Sequence, residues 1–165
     1  MCSSDLVPVP AMLAFCEDAS VTGAEFYVME FVDGLILRDR AGASSMDEAA
    51  CRVAMRSLVA TQAAFHSLDP VAVGLGDLGR HEGYVARQLA RWRRQVEAAK
   101  VRDLPLLESI HERLAAHIPA ETRRPGLAHG DYRFDNTVLG TDHRVRAVLD
   151  WELCTIGGAA SEIGN

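Results

Sequence analysis

The sequence predicts an α+β fold that begins with β-strands, continues as a mostly helical region and ends in a β-hairpin. Three observations support this prediction. Residues 26–32 are rich in aromatic and β-branched side chains, apolar residues recur at helical spacing between 45 and 118, and apolar runs at 137–139 and 145–149 flank a Gly-Thr-Asp-His turn. With 165 residues, the chain is long enough to bury a core of its own.

Composition and charge argue against several classes of protein. Hydrophobic residues make up 48% and charged residues 24% of the chain, which is the balance of a globular protein. The net charge of −6 argues against a nucleic-acid partner, and no apolar run approaches the ~20 residues that a membrane-spanning helix needs. The four cysteines form no Cys-x-x-Cys pair, so we expect a reduced, cytoplasmic protein.

Two antiparallel strands are predicted near the start of the chain. Residues 11–16 form a short apolar run that ends at Glu17-Asp18, and the run at 26–32 ends at Asp33-Gly34. Because such a pair usually packs one side against a core, we expect one buried face.

Three amphipathic helices are predicted after the strands. The first starts with a capping box, in which Ser45 is the N-cap and Glu48 follows three residues later, and it stops near His66. The second spans 83–100, and the third starts at 103–105 with proline in its first turn. The predicted buried face of the third helix is Leu107, Ile110, Leu114 and Ile118.

The side chains best suited to catalysis are concentrated at 127–136 and 148–152. Asp131 is followed by Asn136 five positions later, and Asp150 ends the apolar run after the hairpin turn. Phosphoryl transfer needs a carboxylate at the acceptor hydroxyl and hard oxygen ligands for Mg²⁺, and the protein-kinase catalytic loop supplies them at this spacing. We therefore predict that Asp131 accepts or orients the acceptor proton and that Asn136 and Asp150 bind Mg²⁺.

Two further residues of this loop have predicted supporting roles. His129 is expected to steady the loop through hydrogen bonds rather than to act as a base. Arg133 either contacts a phosphate or the acceptor, or lies on the surface, and the sequence leaves both open. A metal-dependent hydrolase built from His129, Asp131 and Asp150 is a weaker alternative, because the sequence lacks the further His and Asp clusters of such sites.

The segment His129-Gly-Asp-Tyr-Arg-Phe-Asp-Asn136, followed by Leu149-Asp-Trp-Glu-Leu153, resembles the aminoglycoside phosphotransferase family, which has a protein-kinase-like fold. The residues of these two segments are most similar to the branch of the family whose kinase domains are joined to acyl-CoA dehydrogenases. This resemblance implies transfer of the ATP γ-phosphate to the hydroxyl of a small molecule, with Mg²⁺. It further implies that residues 1–33 are a remnant of the N-terminal lobe and hinge, and that 34–165 are the C-terminal lobe, truncated at its end. In the hinge, the main chain of Glu30, Phe31 and Val32 would bind adenine.

The second predicted helix carries a candidate acceptor site. Tyr84, Arg87-Gln88 and Trp92 resemble a signature of the acyl-CoA-linked branch, in the region that shapes the acceptor site. The same helix and its exit are rich in arginine, which indicates either a solvated face or a docking surface for an anionic acceptor. A sugar, an aminoglycoside, a choline-like alcohol and a hydroxyacyl-CoA all remain open, and Trp92 favours the last.

The sequence departs from the family pattern in two places. The only lysine is Lys100, far from the position of the nucleotide-binding lysine, and no Gly-rich loop precedes the hinge. Gly158, Ala159 and Glu162 replace the Asp, Pro and Asp that relatives carry, which leaves the bracing of the catalytic loop open. We therefore expect an incomplete chain, with a non-catalytic remnant or interaction module as the alternative function.

Overall fold

The chain begins with a β-hairpin, in a computed structural model that describes residues 7–44, 46–120, 126–158 and 162. Strand β1 (Met12–Cys16) pairs antiparallel with β2 (Phe26–Met29). The predicted second strand extends to residue 32, but pairing ends at Met29. The last link is the N–H of Glu30, which donates to the carbonyl of Ala11 at 2.8 Å, and the chain then leaves the sheet.

The expectation that this hairpin buries one face is wrong. Large apolar side chains on both strands are exposed. The sequence pattern shows that the strands are apolar, but it does not show whether another element covers them. The exposed side chains are Met12, Leu13, Phe15, Tyr27, Val28 and Met29.

A linker joins the hairpin to the helices and is itself tied to the catalytic region. Leu35 exchanges two backbone hydrogen bonds with Leu139, each 2.8 Å long. The short helix α1 (Arg40–Ser44) and the long helix α2 (Glu48–His66) follow.

Helix α2 does not start with the predicted capping box. The N-cap is Asp47, whose carboxylate accepts the N–H of Ala50 at 2.7 Å. Ser45, the predicted N-cap, lies outside the described residues. Aspartate is as good an N-cap as serine, so the start of a helix was indicated correctly while its cap was not.

Helices α3 (Tyr84–Ala99) and α4 (Pro105–Ala116) follow each other in the chain and are in contact. Pro105 lies in the first turn of α4, as predicted. The predicted buried face of α4 is wrong, since no described residue of this helix is buried and Leu114 is 52% exposed. Helix α4 contacts α3, but this contact leaves the predicted apolar face partly exposed.

Two short antiparallel pairs complete the described chain. Strand β3 (Gly126–Ala128) pairs with β6 (Thr155–Gly157), and β4 (Thr137–Leu139) pairs with β5 (Val145–Val148) as the predicted hairpin. The fully buried core beneath them includes Phe65, Leu139, Val148 and Ile156. Strand β3 meets the end of α2 closely, because a Cβ at Gly126 would lie 2.3 Å from the backbone oxygen of His66.

None of the helices that the structure describes is both long and apolar enough to cross a lipid bilayer.

Candidate active site

The predicted catalytic loop, residues 129–136, joins β3 to β4. Gly130 has a φ of +89°, and a Cβ there would lie 2.6 Å from the backbone oxygen of Leu153. Only glycine fits this conformation and this close approach without strain. The chain then passes Asp131 and makes a short 3-10 turn at Phe134–Asn136 before β4.

His129 lies at the base of this turn and is fully buried. Its Nε2–H donates to the carbonyl of Leu149 at 2.8 Å, and its Nδ1 accepts the N–H of Asp131 at 3.3 Å. One ring nitrogen therefore donates and the other accepts, which is the pattern of a neutral imidazole. Because both nitrogens are engaged by backbone, the ring holds the loop in place and is not available as a base.

Asn136 joins Asp131 to the end of β5. Its Nδ2 donates to the backbone oxygen of Asp131 at 2.9 Å and to Oδ2 of the same residue at 3.0 Å. Its backbone oxygen accepts the N–H of Leu149 at 2.8 Å, which places the following Asp150 beside it in the chain. The structure thus brings the loop residues Asp131 and Asn136 into contact and ties both to the segment that carries Asp150.

Asp150 has a left-handed backbone conformation, with a φ of 64° and a ψ of 58°. This conformation costs a non-glycine residue about 1–2 kcal/mol, and such strain is concentrated at functional sites. Asp150 lines a cavity of about 890 Å³ between the two hairpins, together with Met29, Glu30 and Leu149. The lining is mostly apolar and includes the carboxylates of Glu30, Asp150 and Glu152.

The predicted hinge residues are distributed unevenly around this cavity. Glu30 lines it, and its carboxylate accepts the N–H of Ala11 at 3.2 Å. Phe31 is 88% exposed, and neither Phe31 nor Val32 is among the residues that line the cavity. The adenine contacts predicted for these residues involve main-chain groups, so side-chain exposure does not decide them.

Arg133 contacts the predicted catalytic carboxylate. Its Nε lies 2.8 Å from Oδ1 of Asp135 and 3.4 Å from Oδ1 of Asp131. More than half of the arginine side chain is exposed, so solvent screens these ion pairs and each contributes at most about 1 kcal/mol to stability. Their relevance lies in the placement of charge next to Asp131.

A buried contact that the sequence did not indicate braces the loop. The carboxylate of Glu162, which is 4% exposed, accepts the N–H of Gly130 and lies 2.6 Å from Nε2 of His66. The sequence comparison with the family left open what holds the catalytic loop in place, because Glu162 replaces an aspartate of the relatives. In the structure, Glu162 itself holds the loop. Its partner is His66, at the end of α2. The only sequence signal was an acid in an apolar neighbourhood.

Aromatic rings support the loop from below. Phe65 packs edge-to-face on Tyr132 and Trp151, with ring centroids 5.1 and 5.6 Å apart, and Trp151 also packs on His129 at 4.6 Å. The hydroxyl of Tyr132 donates to the carbonyl of Leu58 at 2.9 Å, and burial raises the pKa of this tyrosine far above its usual range. Tyr132 therefore stays neutral and has a structural role.

The thiol of Cys154, which lines the same cavity, is unreactive for a related reason. Burial first, and then the negative charge of Glu162, raise the pKa of Cys154 to about 11. A thiol with this pKa is almost entirely protonated near neutral pH and is a poor nucleophile.

The predicted acceptor residues lie apart from the loop. Arg87 donates from Nη2 to the carbonyl of Arg80 at 2.9 Å, and Trp92 is 57% exposed on α3. Within the described part of the chain, no hydrogen bond or ion pair joins either side chain to the catalytic loop. A cavity of about 540 Å³ between α3 and α4 is lined instead by Arg93, Arg94 and His111.

The residues present fit a magnesium ion that is held partly by a nucleotide. Among the described residues, no group of three or more His, Cys, Asp or Glu side chains is arranged to bind a metal. Mg²⁺ commonly takes only one or two protein ligands and completes its shell with phosphate oxygens and water. Asn136 suits this arrangement, because its amide nitrogen is bound to Asp131 and its side-chain oxygen remains as the ligand atom.

Comparison with known proteins identifies the family. A model of the family described as phosphotransferase enzymes matches residues 2–165. The chain belongs to this phosphotransferase family. Its fold is the protein-kinase-like fold of aminoglycoside phosphotransferases, as the sequence predicted.

Several members of the family are similar over most of this chain. Acyl-CoA dehydrogenase family member 11 of Gallus gallus is 42% identical over 159 residues, which are 94% of this chain and 20% of that protein. The crystal structure of a putative aminoglycoside phosphotransferase from Ralstonia eutropha is 41% identical, with a TM-score of 0.86 over 96% of this chain and 48% of that one. This chain therefore spans about a fifth of the length of the curated relative and about half of the structural one.

A more distant structure shares the fold alone. Aminoglycoside phosphotransferase APH(2'')-Ib with bound ADP is 16% identical, with a TM-score of 0.65 over 93% of this chain and 51% of that one.

Proposed function

We propose that this phosphotransferase transfers the γ-phosphate of ATP to a hydroxyl group of a small molecule with the help of Mg²⁺. The observation that carries this proposal is the hydrogen-bonded unit of Asp131, Asn136 and Leu149. It holds a carboxylate and an amide oxygen together in one loop and ties this loop to the residue that precedes Asp150. Such a set of oxygens is what phosphoryl transfer requires.

Asp131 accepts or orients the proton of the acceptor hydroxyl. In a loose transition state the proton moves late, so the carboxylate contributes by position more than by basicity. Asn136 fixes that position through its bond to the carboxylate, and Arg133 lies against the same group. His129 orients the loop and takes no proton.

Asn136 and Asp150 are the residues that would hold Mg²⁺. When bound, the ion supplies positive charge to the phosphate oxygens. The neutral amide and single carboxylate leave positions in its shell for those oxygens. The strained backbone of Asp150 fits a residue that is held for function rather than for stability.

In this proposal the nucleotide enters the cavity between the two hairpins. Residues 1–33 form the remnant of the N-terminal lobe and hinge, and the main chain of Glu30, Phe31 and Val32 meets the adenine edge. Residues 34–165 form the C-terminal lobe. The support comes from the shared cavity of Glu30 and Asp150 and from the ADP bound to the structural relative of the same fold.

For the acceptor we propose an anionic hydroxyl compound such as a hydroxyacyl-CoA, ahead of a sugar or an aminoglycoside. The arginines of α3 support an anionic molecule, and the 42% identical relative is named for acyl-CoA dehydrogenation. Arg87 and Trp92 are then positions of the acceptor site.

A second function is favoured by one observation. Lys100, the only lysine, lies at the end of α3 and pairs with Asp103 at 3.3 Å and Glu108 at 2.9 Å. It is thus not available to the nucleotide phosphates. The chain as it stands would then be a kinase-like remnant or interaction module that does not hold ATP productively.

The test is a transfer assay with the 165-residue chain. The chain is incubated with γ-labelled ATP, Mg²⁺ and one of three acceptors: a hydroxyacyl-CoA, a hexose or kanamycin. We expect labelled product, and we expect Asp131→Asn to lower its rate by roughly 10²–10⁴-fold because the positioned carboxylate is lost. Asp142→Asn, in the exposed turn between β4 and β5, is the matched control and should keep the rate.

The outcomes separate the two functions. Equal rates for Asp131→Asn and the control would refute the assignment of Asp131. Absence of both transfer and calorimetric ATP binding in a chain that unfolds cooperatively would support the remnant.

A further inference from the structure

A further cavity lies beside the catalytic loop, and Asn136 is not among the residues that line it. Within the 3-10 turn, Asn136 bonds to Asp131, whereas Phe134 and Asp135 line this other cavity. Its volume is about 460 Å³, within the range of small-molecule sites. Its other walls are the linker after the hairpin and the first turns of α2.

The inner part of the cavity is apolar and adaptable. Met46, Met55 and Phe134 contribute to its lining. Met46 and Phe134 pack against the buried cluster of Leu37, Ala54 and Leu139, whereas Met55 is half exposed. Methionine side chains adjust to irregular shapes, so this lining suits an apolar group without fixing its outline.

The rim of the cavity carries an unpaired positive charge. Two aspartates line the cavity, but Asp135 pairs with Arg133 at 2.8 Å and Asp39 accepts the N–H of Gly42 at 2.8 Å. Arg38 lines the same rim, and none of its side-chain nitrogens lies within 4 Å of a carboxylate oxygen of the described residues. Its guanidinium is therefore available to an anion, for which its planar fork is well suited.

We propose that this cavity binds a small amphipathic anion, with its carboxylate or phosphate head on Arg38 and its apolar body between Met55 and Phe134. Occupancy reaches the active site through Arg133, which lines the cavity and contacts both Asp135 and Asp131. The anionic head on Arg38 adds negative charge to the cavity that Arg133 also lines, and this charge draws the Arg133 guanidinium away from Asp131. The binding site itself does not depend on the proposed catalytic function.

The binding test uses the 165-residue chain without nucleotide, by titration calorimetry. Benzoate and phenyl phosphate carry an anionic head on an apolar body, whereas benzyl alcohol lacks the charge and inorganic phosphate lacks the body. We expect at least one of the first two to bind at least tenfold more tightly than both controls. The comparison of benzoate with phenyl phosphate identifies the preferred head group.

Variants locate the site. Arg38→Gln removes the charge and Met55→Trp fills the cavity, and each should weaken binding at least tenfold. Arg56→Gln is the matched control, because it neutralises an arginine that lies on α2 next to Met55 but lines a different cavity. Asn136→Ala, which alters the candidate active site, should leave the affinity unchanged and so separates this site from the proposed function. Failure of all four probes to bind, or equal affinity in Arg38→Gln and the wild type, would overturn the proposal.

The coupling has its own readout. The side-chain amide of Asn136 donates to Asp131, so its NMR resonances report on that carboxylate. Saturation with the binding probe should shift them in the wild type and not in Arg133→Gln. Unchanged resonances at saturation would refute the link through Arg133.

Discussion

Glu162 shows how a single buried side chain can fix a catalytic turn. A buried carboxylate is costly unless each oxygen has a donor, and here one oxygen meets a backbone N–H and the other an imidazole. The donors come from Gly130, next to Asp131, and from His66, at the end of α2. The carboxylate thus ties the turn to the longest helix of the described chain.

We predict that Glu162→Ala destabilises the protein. The substitution removes the buried carboxylate that both the N–H of Gly130 and the ring of His66 contact, which should lower the free energy of unfolding by about 1–3 kcal/mol. Urea denaturation measures this change. Glu112→Ala, at an exposed position on α4, is the control and should change stability by less than about 0.5 kcal/mol. An equal effect of both substitutions would contradict the bracing role.

At this scale the sequence indicated contacts within one turn and missed contacts across the chain. Asp131 and Asn136 lie five positions apart, so a local loop was enough to bring their side chains together. His66 and Glu162 are separated by 96 positions, and their contact depends on how the end of α2 packs against β3. No local pattern contains that information.

Among the elements, the linker after the hairpin depends strongly on the absence of a side chain at Gly34. A Cβ at Gly34 would lie 2.4 Å from the backbone oxygen of Leu139 and 2.6 Å from Cγ1 of Val138. The next residue, Leu35, makes the paired hydrogen bonds to Leu139. Glycine therefore lets the linker lie directly against β4.

We predict that Gly34→Ala weakens this pairing. The added methyl group must push the linker from β4, and overpacking of this kind costs about 1–3 kcal/mol. Hydrogen exchange of the Leu35 and Leu139 amides measures the local effect. Gly158→Ala is the matched control, because a Cβ there would meet nothing within 4 Å. Unchanged protection in Gly34→Ala would show that the linker tolerates the shift.

The positions of the elements were easier to predict than their packing. Periodicity located α2, α3, α4 and the β4–β5 hairpin, because spacing along the chain decides which side of an element is apolar. It cannot decide whether another element covers that side. This is why the apolar side of α4 was expected to be buried and is half exposed.

For the whole molecule, the most prominent property is exposed apolar surface on a two-stranded sheet. A hairpin of two strands is marginally stable in water without a third strand or a packed face. Strands β1 and β2 carry no charged residue, and both outer edges lack a pairing partner among the described strands. Natural edge strands usually carry charges that prevent such edges from pairing with another chain.

We predict that the chain self-associates through this hairpin. Leu13→Lys combined with Phe15→Lys places two charges on β1, where both side chains are exposed, and should shift the protein towards monomer. Sedimentation velocity over a range of concentrations measures the shift. Ser20→Lys combined with Val21→Lys adds the same charge in the turn between the strands and is the control. A wild-type chain that stays monomeric throughout would refute the prediction.

The close contact between Gly126 and the end of α2 has one more consequence. The polypeptide departs at His66 and comes back to nearly the same point at Gly126, after an excursion that includes α3 and α4. Because its two ends nearly touch, the outer part of that excursion can change in length without moving either point at which it joins the core. The outer parts of α3 and α4, where we propose that the acceptor binds, can therefore vary separately from the strand that leads into Asp131.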